Sequence, residues 1–129
     1  MAPLLLMILL VLSSGPAYAE WVAIGARDSG TTVYVDRNTI RRKGDLVKMW
    51  ELWDFKDLQA SASGSFLSSK ANREYDCAGK RQRRLEGSWF SGHMGKERVL
   101  HSDSHKSEWL PVEPYNPFQA LWTVACGKP

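Results

Sequence analysis

The sequence predicts an α+β domain: an antiparallel β-sheet of about six strands, run as a meander, with a C-terminal α-helix packed on one face and one disulfide. Three observations predict it. From Trp21 to His101, short apolar segments with two-residue alternation are separated by Gly, Ser, Asp and Asn clusters, with no helical period between them. After Pro114 the apolar period changes to that of a helix. The chain also holds two cysteines, Cys77 and Cys126, one at the end of a strand segment and one at the end of the helical stretch.

The 129 residues carry 17 Lys/Arg and 14 Asp/Glu, a formal charge of +3, but the first 19 contain no charged side chain. All the charge therefore falls in the remaining 110. The apolar run Leu4 to Leu12 is nine residues long, about half of the roughly 20 that a membrane-spanning helix needs. Ser13 to Pro16 and Ala17-Tyr18-Ala19 then supply a break and small residues at the positions a signal peptidase reads. Residues 1–19 are read as a cleaved signal peptide and 20–129 as the exported domain, with no transmembrane segment after cleavage. No cysteine directly follows the apolar run, so a lipoprotein anchor is not indicated.

The elements follow in order. Trp21 to Ala26 and Thr32 to Asp36 form a hairpin across Arg27-Asp28-Ser29-Gly30. Asp36-Arg37-Asn38 reads as a turn, and Arg41 to Asp45 as a second one, with Gly44 free to take a positive φ. Leu46 to Phe55 is the strongest strand. It carries Val47, Met49, Trp53 and Phe55 on one parity and Leu46, Trp50 and Leu52 on the other, so both faces require a cover. After a loop from Asp57 to Ser65, the strand Phe66 to Cys77 alternates Leu67, Ala71, Tyr75 and Cys77 against a polar parity of Ser68, Lys70, Asn72, Glu74 and Asp76. Lys80 to Phe90 is the fifth strand and Glu97 to His101 the sixth, joined through a turn at Gly92 to Gly95. Trp109 to Pro114 is extended. Asn116 is placed to cap a helix that starts at Pro117, shows Phe118, Leu121, Trp122, Ala125 and Cys126 on one stripe, and ends at Gly127.

Outside the cytosol Cys77 and Cys126 can oxidise, and two cysteines allow one intramolecular pairing, closing a loop of 49 positions. Two free thiols or a shared metal are the alternatives, though a separation this wide lacks the close spacing of a cysteine metal pair. The pairing would tie the helix to the fourth strand.

Candidate chemistry is sparse. His101, Asp103 and His105 alternate in extended chain and could offer two imidazoles and a carboxylate to a metal, although the same residues are ordinary in a polar loop. No G-x-S-x-G or H-E-x-x-H motif is present, no cofactor motif is present, and pairing would remove both thiols, so neither an enzyme nor a cofactor is expected. Lys80, Arg81, Arg83 and Arg84 form the densest basic run and could grip a polyanion; the opposing reading is a solvated strand start balanced by Glu74, Asp76 and Glu86. Arg41-Arg42-Lys43 either extends that patch or decorates a turn. Trp50 and Trp53 face opposite ways on one strand, and one helix can cover one face. The other needs a long loop, a curled sheet or another protein over it.

The order of Trp21, Val33-Tyr34-Val35-Asp36, the Val47 to Trp50 strand with Trp53-Asp54, Ser68-Ser69-Lys70, Glu74-Tyr75-Asp76-Cys77, the basic Arg81 to Arg84, Trp109 and the closing Ala125-Cys126 resembles the bacterial surface-adhesin E family. The resemblance implies a six-stranded antiparallel sheet with a C-terminal helix, a Cys77–Cys126 disulfide, and an exported, non-enzymatic protein of a Gram-negative bacterium. It also implies extracellular-matrix partners and a homodimer. Export argues against nucleic acid as a partner. The resulting expectation is an exported binding module with a protein or polyanionic partner, at the cell surface or in the periplasm. A small periplasmic accessory or stress-related protein is the alternative.

Overall fold

The computed structural model describes residues 19–27, 29–114 and 117–127. The leader through residue 18 and the Asn116 cap lie outside the described residues. Among the described residues, seven strands and one α-helix follow in order: β1 (Val22–Ala26), β2 (Thr32–Lys43), β3 (Leu46–Gln59), β4 (Phe66–Asp76), β5 (Arg81–Phe90), β6 (Val99–Asp103), β7 (Leu110–Pro111) and α1 (Pro117–Cys126). The first six run as an antiparallel meander in sequence order, as expected. The two-residue β7 is an addition. β6 pairs with the Gly87–Phe90 half of β5, and β7 fills the other half of that edge opposite Arg81 and Gln82. Backbone bonds from Ser107 N to Arg84 O (2.9 Å) and from Val112 N to Lys80 O (3.1 Å) continue the cover, leaving little of the β5 edge unpaired.

Several boundaries differ from the sequence expectation. β3 runs on to Gln59, into the expected Asp57 to Ser65 loop, and β6 to Asp103, past the expected ends at Phe55 and His101. Two further differences have a clear local reason. The expected turn at Asp36 is an irregularity inside one long strand: pairing with β3 stops at Asp36 opposite Trp50 and resumes at Arg41 opposite Lys48. The Asp36 carboxylate accepts Asn38 N at 3.0 Å, and the Thr39 hydroxyl donates to Asp36 O while accepting Trp50 N. Side chains thus replace the missing ladder bonds, and the chain bulges without leaving the sheet. The sixth strand begins at Val99 rather than Glu97, because Glu97 itself sits at φ 69° and cannot join an extended ladder. The expected hairpin glycine is in place: Gly44 takes φ 63° between β2 and β3.

The helix side of the sheet holds the core. Val33 and Val35 of β2, Val47 and Met49 of β3 and Tyr75 of β4 are fully buried with Leu121 of α1, and Trp122, Ala125 and Cys126 complete the helix stripe. Cys77 and Cys126 are disulfide-bonded with Cα atoms 5.7 Å apart, joining the end of β4 to the end of α1. The helix terminates as predicted, with Gly127 at φ 70° and its N–H on Thr123 O.

The opposite face is covered in part by the chain itself. Between β5 and β6 a single 3₁₀ turn, His93–Gly95, folds back over β3 and β4. Ser68, fully buried, pins it: its hydroxyl donates to Gly92 O (2.6 Å) and accepts Gly95 N (2.8 Å), while Asp54 Oδ1 accepts Met94 N (2.7 Å). Gly95 sits at φ 68°, and a Cβ there would meet the end of the Lys70 side chain, so glycine is favoured at this position. Leu52 is buried beneath this flap. The cover stops short of Trp50, and the sheet from Trp50 to Leu46 stays open.

Candidate functional site

That open end of the sheet is organised in cross-strand rows. Because side chains alternate, one register row places Arg41 of β2, Lys48 of β3, Glu74 of β4 and Arg83 of β5 side by side. The next row is Lys43, Leu46, Asp76 and Arg81. The two carboxylates are both taken from the β5 side. Glu74 Oε1 pairs with Arg83 at 2.6 Å, and Asp76 Oδ2 pairs with Arg81 at 2.8 Å. Arg41, Arg42, Lys43 and Lys48 therefore line a groove of about 480 Å³, together with Leu46 and Glu74, without an ion-pair partner among the described residues. Arg41 Nη1 is held by its own strand, donating to Asn38 O and Ile40 O, which orients the guanidinium without neutralising it. The groove continues past Thr39, Asn72 and the half-buried Trp50 to Trp21 and Lys70.

The basic run singled out from sequence lies alongside, and its charges are largely matched. Arg81 and Arg83 stack on Trp109, their guanidinium carbons 4.8 and 4.3 Å from the ring centre, in addition to their carboxylate pairs. Arg84 faces the helix side and pairs with Asp103 at 2.9 Å. Lys80 lies over the Trp122 ring at 5.5 Å. The balancing carboxylates are Glu74 and Asp76, as the sequence allowed, with Asp103 in the place given to Glu86. Of the two tryptophans singled out, Trp50 lines the open groove, whereas Trp53 is a core residue. Trp53 is 8% exposed, packs on Phe118 at 5.5 Å and donates its indole N–H to Glu51.

Asp76 is the best-held of these carboxylates. It accepts Gly79 N and Ala78 N as well as both Nε and Nη2 of Arg81. The Gly79 N–H, then Arg81, hold its carboxyl below the usual carboxylate range. A depressed folded pKa gives stability that is complete above the unfolded value, about 3.9, and is lost as pH falls through the lower folded value. Urea midpoints of the native chain and Asp76→Asn should accordingly differ at pH 7 and converge near the acid limit. An equal gap at both pH values would contradict this.

The proposed metal trio does not assemble. His101 lies on the Trp89 ring, centroids 5.3 Å apart, with Nε2 3.5 Å from Asp103 Oδ2, while Asp103 Oδ1 is taken by Arg84 and by His105 N. The Arg84 hydrogen bond lowers the Asp103 pKa, favouring the ionised carboxylate that this guanidinium pairs with. Among the described residues no group of three His, Cys, Asp or Glu side chains is placed to hold a metal ion.

A buried polar cluster escaped the sequence reading. Glu51, fully buried in mid-β3, accepts Arg73 Nε (2.7 Å) and Trp53 Nε1 (3.0 Å) on Oε1 and the Tyr75 hydroxyl (2.9 Å) on Oε2. Arg73 also donates to Gln82 Oε1 at 2.7 Å. Burial, then the adjacent Glu51 charge, pushes the Tyr75 hydroxyl well above its ordinary pKa, keeping it a donor. The signal was available: Glu51 shares the parity of Val47, Met49 and Trp53, and Arg73 that of Ala71 and Tyr75. A carboxylate and a guanidinium on core faces of neighbouring strands require each other.

Residues 21–127 match the protein family described as Surface-adhesin protein E. No curated protein sequence matches the chain. Solved structures of Haemophilus influenzae protein E share the fold. One superposes with a TM-score of 0.64 at 9% identity, covering 87% of each chain. The protein E structure from a non-typeable H. influenzae gives 0.62 at 10% identity over 87% of this chain and 78% of that one. A second crystal form gives 0.60 at 12% over 86% and 97%.

Proposed function

Since the chain belongs to the surface-adhesin protein E family, we propose that it is an exported, non-catalytic binding module whose open basic groove grips an acidic macromolecule. One observation carries this reading: Arg41, Arg42, Lys43 and Lys48 converge on one groove while the neighbouring carboxylates are held by β5 arginines. Unneutralised cations in a concave surface concentrate anionic partners, and Trp50 and Leu46 add apolar contact beside them. The mature chain should stay on immobilised heparin, as a model polyanion, at roughly 150 mM salt, where exposed charges are strongly screened. Elution well below that salt would contradict the reading. Protease shaving of intact cells should remove a surface-displayed protein; a spared one resides in the periplasm.

Cleavage before Glu20, the expected export step, would change one contact of the folded domain. The backbone nitrogen of Glu20 lies 3.3 Å from Oδ2 of Asp36, a buried carboxylate. Cleavage there would turn this amide into an ammonium facing that carboxylate, a charge-assisted contact stronger than the neutral one. A chain beginning at Glu20 should be about 1–2 kcal/mol more stable than one that retains Ala19. Equal urea midpoints would contradict the ammonium–carboxylate contact, and the N-terminal residue of the exported chain, expected to be Glu20, checks the cleavage point.

A further inference from the structure

The helix leaves part of its own face of the sheet bare. Beyond Phe118 a hollow of about 320 Å³ opens over β3, β4 and β5. Its floor is low because Ala71 and Gly87 are register partners on adjacent strands, with Ser69 beside them. Its walls are aromatic, Trp53 and Phe118 on one side and Trp89 on the other.

Guanidiniums border this apolar space. Arg73 and Arg84 are register partners; Arg73 lies 5.2 Å from the Phe118 ring and Arg84 5.5 Å from the Trp89 ring. Gly87 makes the Arg84 placement feasible, since a Cβ there would stand 2.8 Å from Nη1. Arg27 lines the rim, and no carboxylate among the described residues does. Each inner arginine keeps donors in hand. Arg73 uses Nε and Nη1 on Glu51 and Gln82, and Arg84 uses Nη1 on Asp103. No described residue accepts from Nη2 of Arg73, or from Nε or Nη2 of Arg84.

We propose that this hollow is a binding site for a small amphipathic anion, a flat apolar body bearing one acidic group. The body would lie over Ala71 and Gly87 between the aromatic walls, and the acid would take the remaining N–H groups of Arg73 and Arg84 in the charge-assisted geometry guanidinium favours. The volume is at the small end for ligand pockets, which selects a compact molecule over a polymer. This site is on the opposite face from the basic groove and does not depend on it.

Calorimetric titration of the mature chain with 2-naphthoate, against 2-naphthalenemethanol as the uncharged body, tests it. Naphthoate should bind at one site, at least about tenfold tighter than the alcohol, a gap of about 1.4 kcal/mol. Arg84→Gln should weaken naphthoate by about tenfold and leave the alcohol unchanged, since a guanidinium hydrogen bond to an anion is what is lost. Ser69→Phe keeps every charge and fills the hollow, so it should abolish both. In the unmutated chain the indole N–H signal of Trp89 should shift with naphthoate while that of Trp109 stays in place. Arg41→Ser/Arg42→Ser/Lys43→Ser should bind naphthoate like the native chain, even if heparin binding is lost or was never present. Absence of saturable naphthoate binding at millimolar concentration, equal affinity for acid and alcohol, or unchanged binding in Ser69→Phe would overturn the assignment.

Discussion

Replacing Arg73 by alanine should destabilise the domain by about 3–5 kcal/mol, the range seen when one partner of a buried ion pair is removed. The reason lies in Glu51, whose side chain has no exposed surface and which relies on Arg73, Trp53 and Tyr75 for all its hydrogen bonds. Without the guanidinium a carboxylate is left buried and uncompensated. Burial works against the charge on Arg73, and the pull of Glu51, helped by Tyr75 and the hydrogen bond between the pair, outweighs it, leaving its pKa raised. The paired change Glu51→Leu/Arg73→Met should recover most of the loss, because it removes both charges and keeps the volume. Urea denaturation of the three chains checks this. A cost below about 1 kcal/mol for Arg73→Ala, the scale of an exposed pair, would mean that water reaches the cluster.

Removing the disulfide is the other large effect. Cys77–Cys126 closes a loop with a sequence separation of 49, and a loop of that size contributes about 4 kcal/mol in the chain-entropy account. Here it has a second consequence. α1 is ten residues long, below the ~12–15 at which an isolated helix holds in water, so it depends on its packing and its tether. Cys77→Ser/Cys126→Ser should lower the urea midpoint, and Trp122, whose indole N–H donates to Asp76 O at 3.3 Å, should report helix release by fluorescence before the sheet unfolds. An unchanged midpoint on adding dithiothreitol would contradict the tether.

The strand order, the helix and its tether were legible because each rests on local signals: alternation, Gly44, the period change after Pro114, and two cysteines. What sequence concealed is cross-strand. Asp36-Arg37-Asn38 has turn chemistry, and it does make the turn's hydrogen bonds, but the neighbouring β3 keeps the chain in the sheet. Lys80 to Arg84 is the densest basic run along the chain, yet register sets Arg81 opposite Asp76 and Arg83 opposite Glu74, which neutralises it. Arg41 to Lys43 reads either as an extension of that run or as hairpin decoration, and register sets Arg41 opposite Lys48, Arg42 opposite Val47 and Lys43 opposite Leu46, none of them an acid. The flap over Leu52 depends on Ser68 and Gly92, 24 positions apart, whose contact no local pattern reveals.

The two basic clusters therefore differ in how much charge they leave free, and heparin binding should separate them. Two variants that each remove three positive charges, Arg41→Ser/Arg42→Ser/Lys43→Ser and Arg81→Ser/Arg83→Ser/Arg84→Ser, can be eluted from immobilised heparin in a salt gradient. If the open groove is the binding surface, the first should elute well below about 150 mM salt and the second should stay close to the native chain. Equal losses, or a larger loss in the second, would contradict it.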